Sequence, residues 1–184
     1  CLVEVLERCD SNDISILAKK TEIFDQIHRL LEENKSIDAS LIFLYRLLMD
    51  ETVPMLLLNH PIINLILQVK GHTAQKLQIF TILFSSEQYC SNTTISDSIV
   101  KLIISTLNIE TLTNYSLKLI GALSLHPTGC ALINETGMLS LFSQMYLSSV
   151  YSDPKIPLLI LTNLAKADCQ IPDVSLIISC LMQD

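Results

Sequence analysis

Tryptophan is absent from this chain of 184 residues, and aromatic residues together make up only 5%. Exposed rings that stack nucleic-acid bases are therefore not expected. Lysine and arginine total 12, scattered so that no run exceeds Lys19-Lys20, and the formal net charge is −7. That excludes a phosphate-tracking surface, so no nucleic acid is expected as a partner. Glycine is scarce, with 4 residues, and strong turn dipeptides are few, which disfavours a β-sandwich or barrel. Apolar stretches are interrupted well before the ~18 to 20 residues that span a bilayer, so no membrane partner is expected. No signal peptide is visible, and a chain starting at Cys1 is expected to be a fragment of a longer protein.

Chemical motifs are lacking too. There is no GxSxG, no HExxH and no CxxC. His28, His60, His72 and His126 show no metal-ligand spacing; His60 and His126 each adjoin a proline and suit a turn or cap. Gly71, Gly121, Gly129 and Gly137 stand alone, so no glycine-rich loop can cradle a phosphate. Catalytic residues, cofactor-binding residues and metal ligands are expected to be none, and the chain is not expected to be an enzyme. Cys1, Cys9, Cys90, Cys130, Cys169 and Cys180 fall mostly within or beside apolar helical pattern, as small hydrophobes. Free thiols point to an intracellular protein, cytoplasmic or nuclear. Three sequons, at Asn92, Asn114 and Asn134, pull weakly the other way.

What the chain does have is apolar pattern. Apolar residues make up 49% and charged residues 17%, against a usual ~25% charged. Four segments, SLIFLYRLL (40–48), KLQIFTILF (76–84), SLKLIGALS (116–124) and PLLILTNLA (157–165), share Leu41, Leu77, Leu117 and Leu158 at the second position. They share Leu47, Leu83, Leu123 and Leu164 at the eighth. These offsets trace one face of a helix. A second series alternates with the first: EIFDQIH (22–28), PIINLIL (61–67), SIVKLII (98–104), GMLSLFS (137–143) and PDVSLII (172–178). Leu65, Leu102, Leu141 and Leu176 share its fifth position, with Gln26 in the weaker first copy. A shorter element often precedes this second series, with Asn59, Pro61, Asn134 and Gly137 suited to ending one helix and starting another. Residues 1–9 read as one long helix, and residues 88–97 read as irregular. Spacings of about 35 to 41 residues fall in the range of helical solenoid repeats.

With these series the chain resembles the armadillo repeat family, with HEAT repeats as near neighbours. The resemblance implies an all-α fold, a right-handed α-solenoid of about four to five repeats. They would fill a single domain over 1–184, approximately as 1–35, 36–71, 72–108, 109–149 and 150–184. In that family the third helices line a groove that takes extended peptides. Taking the second series as third helices, the fourth and eighth positions are polar in every copy: Asp25 and Arg29, Asn64 and Gln68, Lys101 and Ser105, Ser140 and Gln144, Ser175 and Ser179. Residues four apart share a helix face. Asn64, Gln68, Lys101, Ser105, Ser140 and Gln144 are thus the expected partner-binding residues, and Lys76 and Lys118 are expected on the opposite, outer surface. The mostly neutral ladder fits a peptide or helical segment of one partner protein better than a basic import signal. The alternative is a self-associating structural module, a homodimer or a longer solenoid, suggested by the apolar SLIISCLM near the end of the chain.

Overall fold

A computed structural model describes residues 22–141 and 155–167, together with Asp13, Ile16, Leu17 and Lys20. Residues 1–9, Gln144 and the segment SLIISCLM lie outside the described residues. Ten helices are labelled in chain order: α1 (Glu22–Glu32), α2 (Ile37–Leu47), α3 (Val53–Leu56), α4 (Ile62–Gln68), α5 (Thr73–Ser85), α6 (Glu87–Asn92), α7 (Asp97–Leu107), α8 (Glu110–Ser124), α9 (Pro127–Glu135) and α10 (Lys155–Lys166). Residues 138–141 are helical as well. The fold is all-α, with no strand among the described residues. The chain divides into two compact units, Cys1–Thr93 and Thr94–Asp184. The division falls within the segment 72–108 expected as one repeat.

In the first unit α1 packs on α2 and α4, α2 on α5, α5 on α6, and α3 on α6. Helix α1 buries Phe24, Ile27 and Leu31 along one stripe. Its carboxylates Glu22 and Asp25 sit in the first turn and Arg29 in the last, each sign matching the helix dipole. Asn34, at a φ of 53°, ends it in the left-handed region that asparagine tolerates, and the Lys35 N–H closes back on the Leu30 carbonyl at 2.8 Å. Asn59 and Gly137, both at positive φ, make the breaks the sequence suggests at the ends of short helices. Histidine joins neighbouring helices. His60 Nδ1 accepts the Ile62 N–H at 3.2 Å, capping α4, while Nε2 lies 3.4 Å from Asp25 on α1. His72 Nδ1 lies 2.7 Å from Asp38 on α2.

Residues 87–92, within the stretch expected to be irregular, form helix α6. Ser86 caps it, accepting the Tyr89 N–H, and Glu87 occupies the first turn. Tyr89 and Cys90 anchor it in the core, with the Tyr89 ring edge-on to Phe84 at 5.9 Å. Only Thr93–Ser96 leave regular structure. Lys76, expected on the outer surface, is buried instead. Its ammonium donates to the carbonyls of Val69 and Leu67 just past and within the end of α4, supplying a cap for acceptors that the helix itself leaves open.

In the second unit α8 packs against α7, α9 and α10. Here hydroxyls and small residues make the joints. Thr106 and Ser116 share a buried hydrogen bond of 2.7 Å, and Thr113 Oγ1 donates to the Leu107 carbonyl at 2.8 Å. Asn163 on α10 donates through Nδ2 to Ser124 Oγ on α8 at 3.1 Å. A Cβ on Gly129 would overlap the Leu123 carbonyl, so glycine is what lets α9 cross the end of α8 so closely.

The shared leucines of the first series sit in the cores of their units: Leu41, Leu47, Leu77, Leu83, Leu117, Leu123 and Leu164 are all at most 1% exposed, and only Leu158 is half-buried. The second series behaves differently. Its repeated Leu65, Leu102 and Leu141 are only half-buried, and the core positions are their neighbours Ile62 and Ile66, Ile99 and Ile103, and Met138. Gln26 can replace leucine in the first copy because that position borders solvent.

Candidate functional site

Each short helix of the first unit is followed at once by a member of the second series and then by a member of the first: α3, α4, α5. The same order continues as α6, α7, α8. Counted from the short helix, α4 and α7 are second helices, and the long helices α5 and α8 are third. Asn64 and Gln68 are exposed on α4; Lys101 and Ser105 are exposed on α7; Ser140 is exposed just after Gly137. Asn64 and Gln68 belong to one unit and the other three to the second. In the first unit the packing of α1 on α4 groups Asp25 and Arg29, both exposed, with Asn64 and Gln68 on one pair of helices. The Ser105 hydroxyl turns back to its own helix, donating to the Leu102 carbonyl at 2.9 Å.

A better-defined surface comes from the long helices α2 and α5. Their buried positions correspond one to one, at a spacing of 36 residues: Ser40 with Lys76, Leu41 with Leu77, Phe43 with Ile79, Leu44 with Phe80, Leu47 with Leu83, Leu48 with Phe84. The remaining positions correspond as well. Ile42, Tyr45, Arg46 and Met49 on α2 and the turn after it match Gln78, Thr81, Ile82 and Ser85 on α5, and all eight are exposed or half-buried. Offsets of three, four and seven put each quartet on one helix face. Since the buried sets match and the helices pack together, both quartets point away from the core on the same side. Ile42 and Met49 are 37% and 58% exposed, which makes this stripe part apolar and part polar.

At one end the stripe runs into an open groove of about 460 Å³. Leu48, Glu51 and Pro54 form one wall; Ile82, Ser85, Ser86, Glu87 and Gln88 form the other. The packing of α2 on α5 and of α3 on α6 sets the walls apart. Leu48 and Pro54 are buried and give an apolar floor, whereas Glu51, Glu87 and Gln88 stand exposed at the rim. Two rim hydroxyls are already used: Ser85 donates to the Thr81 carbonyl at 2.7 Å and Ser86 accepts from Tyr89. Next along α6, burial raises the Tyr89 phenol above its ordinary value, opposed by a hydrogen bond with Thr93. Burial likewise lowers Lys76 on α5.

No cluster of histidine, cysteine and carboxylate able to hold a metal occurs among the described residues. None of their helices is long and apolar enough to cross a membrane. Sequence reasoning missed the α2–α5 stripe, yet a signal was present. The third position of the first series holds Ile42, Gln78, Lys118 and Leu159, a mixture of apolar, amide and charged side chains that breaks the apolar pattern. Comparison of the chain with family models, with curated proteins and with solved structures returns no match.

Proposed function

We propose that this chain is a protein-interaction scaffold, an α-solenoid of armadillo-like repeats that takes a peptide or helical segment of a partner protein on its third helices. The observation that carries the reading is the matched pair of outer quartets on α2 and α5. Two packed helices repeat their solvent face in the same register, with large apolar side chains among polar ones. Ile42 and Met49 put exposed apolar surface on the same face as the groove. Interfaces combine such apolar anchors with a polar rim. Counting each repeat from its short helix makes α5 a third helix, and on that count the reading puts the groove implied by the armadillo resemblance on this face. Cys90 and Cys130 are buried in the cores of separate units as small apolar side chains, which supports a reducing, intracellular setting.

The test compares two faces. A tagged chain captures its partner from cell extract, and the partner, once identified, is titrated against two double variants. Ile42→Glu with Gln78→Glu should weaken binding at least ~10-fold, about 1.4 kcal/mol. Asn64→Ala with Lys101→Glu should leave it within ~2-fold. The reverse result would move the site to the ladder of Asn64, Gln68, Lys101 and Ser105. A second reading, self-association, is favoured by the exposed Ile109, Leu125 and Leu159 of the second unit. Light scattering decides it: a tight dimer that Leu125→Glu dissociates would replace the scaffold reading.

A further inference from the structure

The groove beside the stripe carries a more specific message. Its two rim carboxylates, Glu51 and Glu87, come from opposite walls, and neither has an ion-pair partner among the described residues. Between and below them lie Leu48, Pro54 and Ile82. Glu51 and Glu87 are exposed, so leaving them unpaired costs the free chain little. A bound apolar or acidic group would strip water from one or both carboxylates and return nothing, and a neutral donor would return less than a cation does. A cation on an aliphatic stem meets both requirements: the stem covers the apolar floor, and the charged head bonds to the carboxylates at the rim.

We infer that this groove binds one lysine or arginine side chain of the partner segment that lies along α2 and α5. The inference rests on the binding role proposed for this face and names the partner's chemistry. Arg46 sharpens it. This exposed cation stands on the same stripe and has no ion-pair partner among the described residues. It disfavours a second positive charge next along the partner, so the occupant is a segment with a single basic residue beside apolar and neutral ones. The same charge disfavours a polybasic tail. Ile42, Tyr45, Met49 and Ile82 supply the surface for the apolar neighbours.

The experiment uses the full chain and three short capped peptides of alanine and leucine with a central arginine, methionine or glutamate. Each is titrated while backbone amide shifts are followed by NMR. The arginine peptide should shift the amides of Ser85, Ser86, Glu87 and Gln88 saturably, and bind at least ~10-fold more tightly than the glutamate peptide. Glu51→Gln with Glu87→Gln should remove the preference for arginine with only a small fall in the thermal unfolding midpoint, since Glu87 also stands in the first turn of α6. Equal binding of all three peptides in the groove would overturn the basic occupant while leaving α2 and α5 as a binding face. Saturable shifts confined to other helices, or no shift at any amide of α2, α5 or α6, would overturn both the inference and the face on which it rests.

Discussion

The junction of α5 with α6 and the junction of α8 with α9 occupy corresponding places in the two units, 40 residues apart. Leu83 matches Leu123, and Cys90 matches Cys130, all buried. Between these fixed points the chemistry inverts. The first unit places Phe84 against Tyr89, two rings edge to face. The second has Ser124 and Gly129 at the same positions. With no rings to hold the helices apart, α9 comes down onto the carbonyl of Leu123, and the Cys130 thiol lies 3.1 Å from the Ser124 carbonyl. One helical plan is therefore held by bulk in one unit and by close backbone approach with small polar groups in the other. What the two share is the leucine core; what differs is how the ends of the long helices are joined.

The comparison can be broken by mutation. Phe84→Ala should have the largest effect, a loss of ~3 to 5 kcal/mol, because it empties a fully buried site. Ser124→Ala at the corresponding position should cost only ~1 kcal/mol, the net value of its hydrogen bonds. Equal losses in urea unfolding would mean that the two junctions are not built differently. Next, Leu83→Ala and Leu123→Ala should each lose ~2 to 5 kcal/mol and agree with one another, since both leucines are fully buried in matching settings. A loss below ~1 kcal/mol at either would reject the shared register.

Gly129→Ala should cost ~1 to 3 kcal/mol through overpacking, and circular dichroism melts should show it. An unchanged melting temperature would show that the close crossing of α8 and α9 is not needed. The smallest effect is one of pH. Burial raises the Tyr89 phenol, so the folded chain holds that proton more tightly than the unfolded chain does. Its contribution is complete below the ordinary value of 10.0 and is lost as pH climbs through the raised folded value. Wild type should thus lose more stability across that window than Tyr89→Phe. Lys76, shifted the opposite way, is present in both proteins and cancels from the difference.

Much of this was legible in the residues. The leucines of the first series are spaced for one helical face, and seven of the eight are core. The helices α2, α5, α8 and α10 stand where that spacing puts them. The short helices were harder to read. Val53–Leu56 spans four residues and Glu87–Asn92 six, too few for a period of 3.6 to declare itself. Of the two, α6 lies in the stretch that reads as irregular. Burial of Lys76 was also invisible, because a lysine usually reads as surface and its partners are carbonyls that carry no sequence signal. The polar fourth and eighth positions of the second series are exposed wherever they are described, but exposure alone does not distinguish a binding ladder from a solvated face.

Cys90 and Cys130 give the molecule a use as its own stopwatch. Both thiols are closed to reagent in the folded state, one in each unit at the same structural address. A thiol in that position can be labelled only while the surrounding helices are open. In a chain whose other four cysteines are replaced, the two modification rates would measure how often each unit opens, independently and in one sample. The ring-filled junction and the close-crossing junction would then be compared as opening frequencies, without the whole chain ever being unfolded.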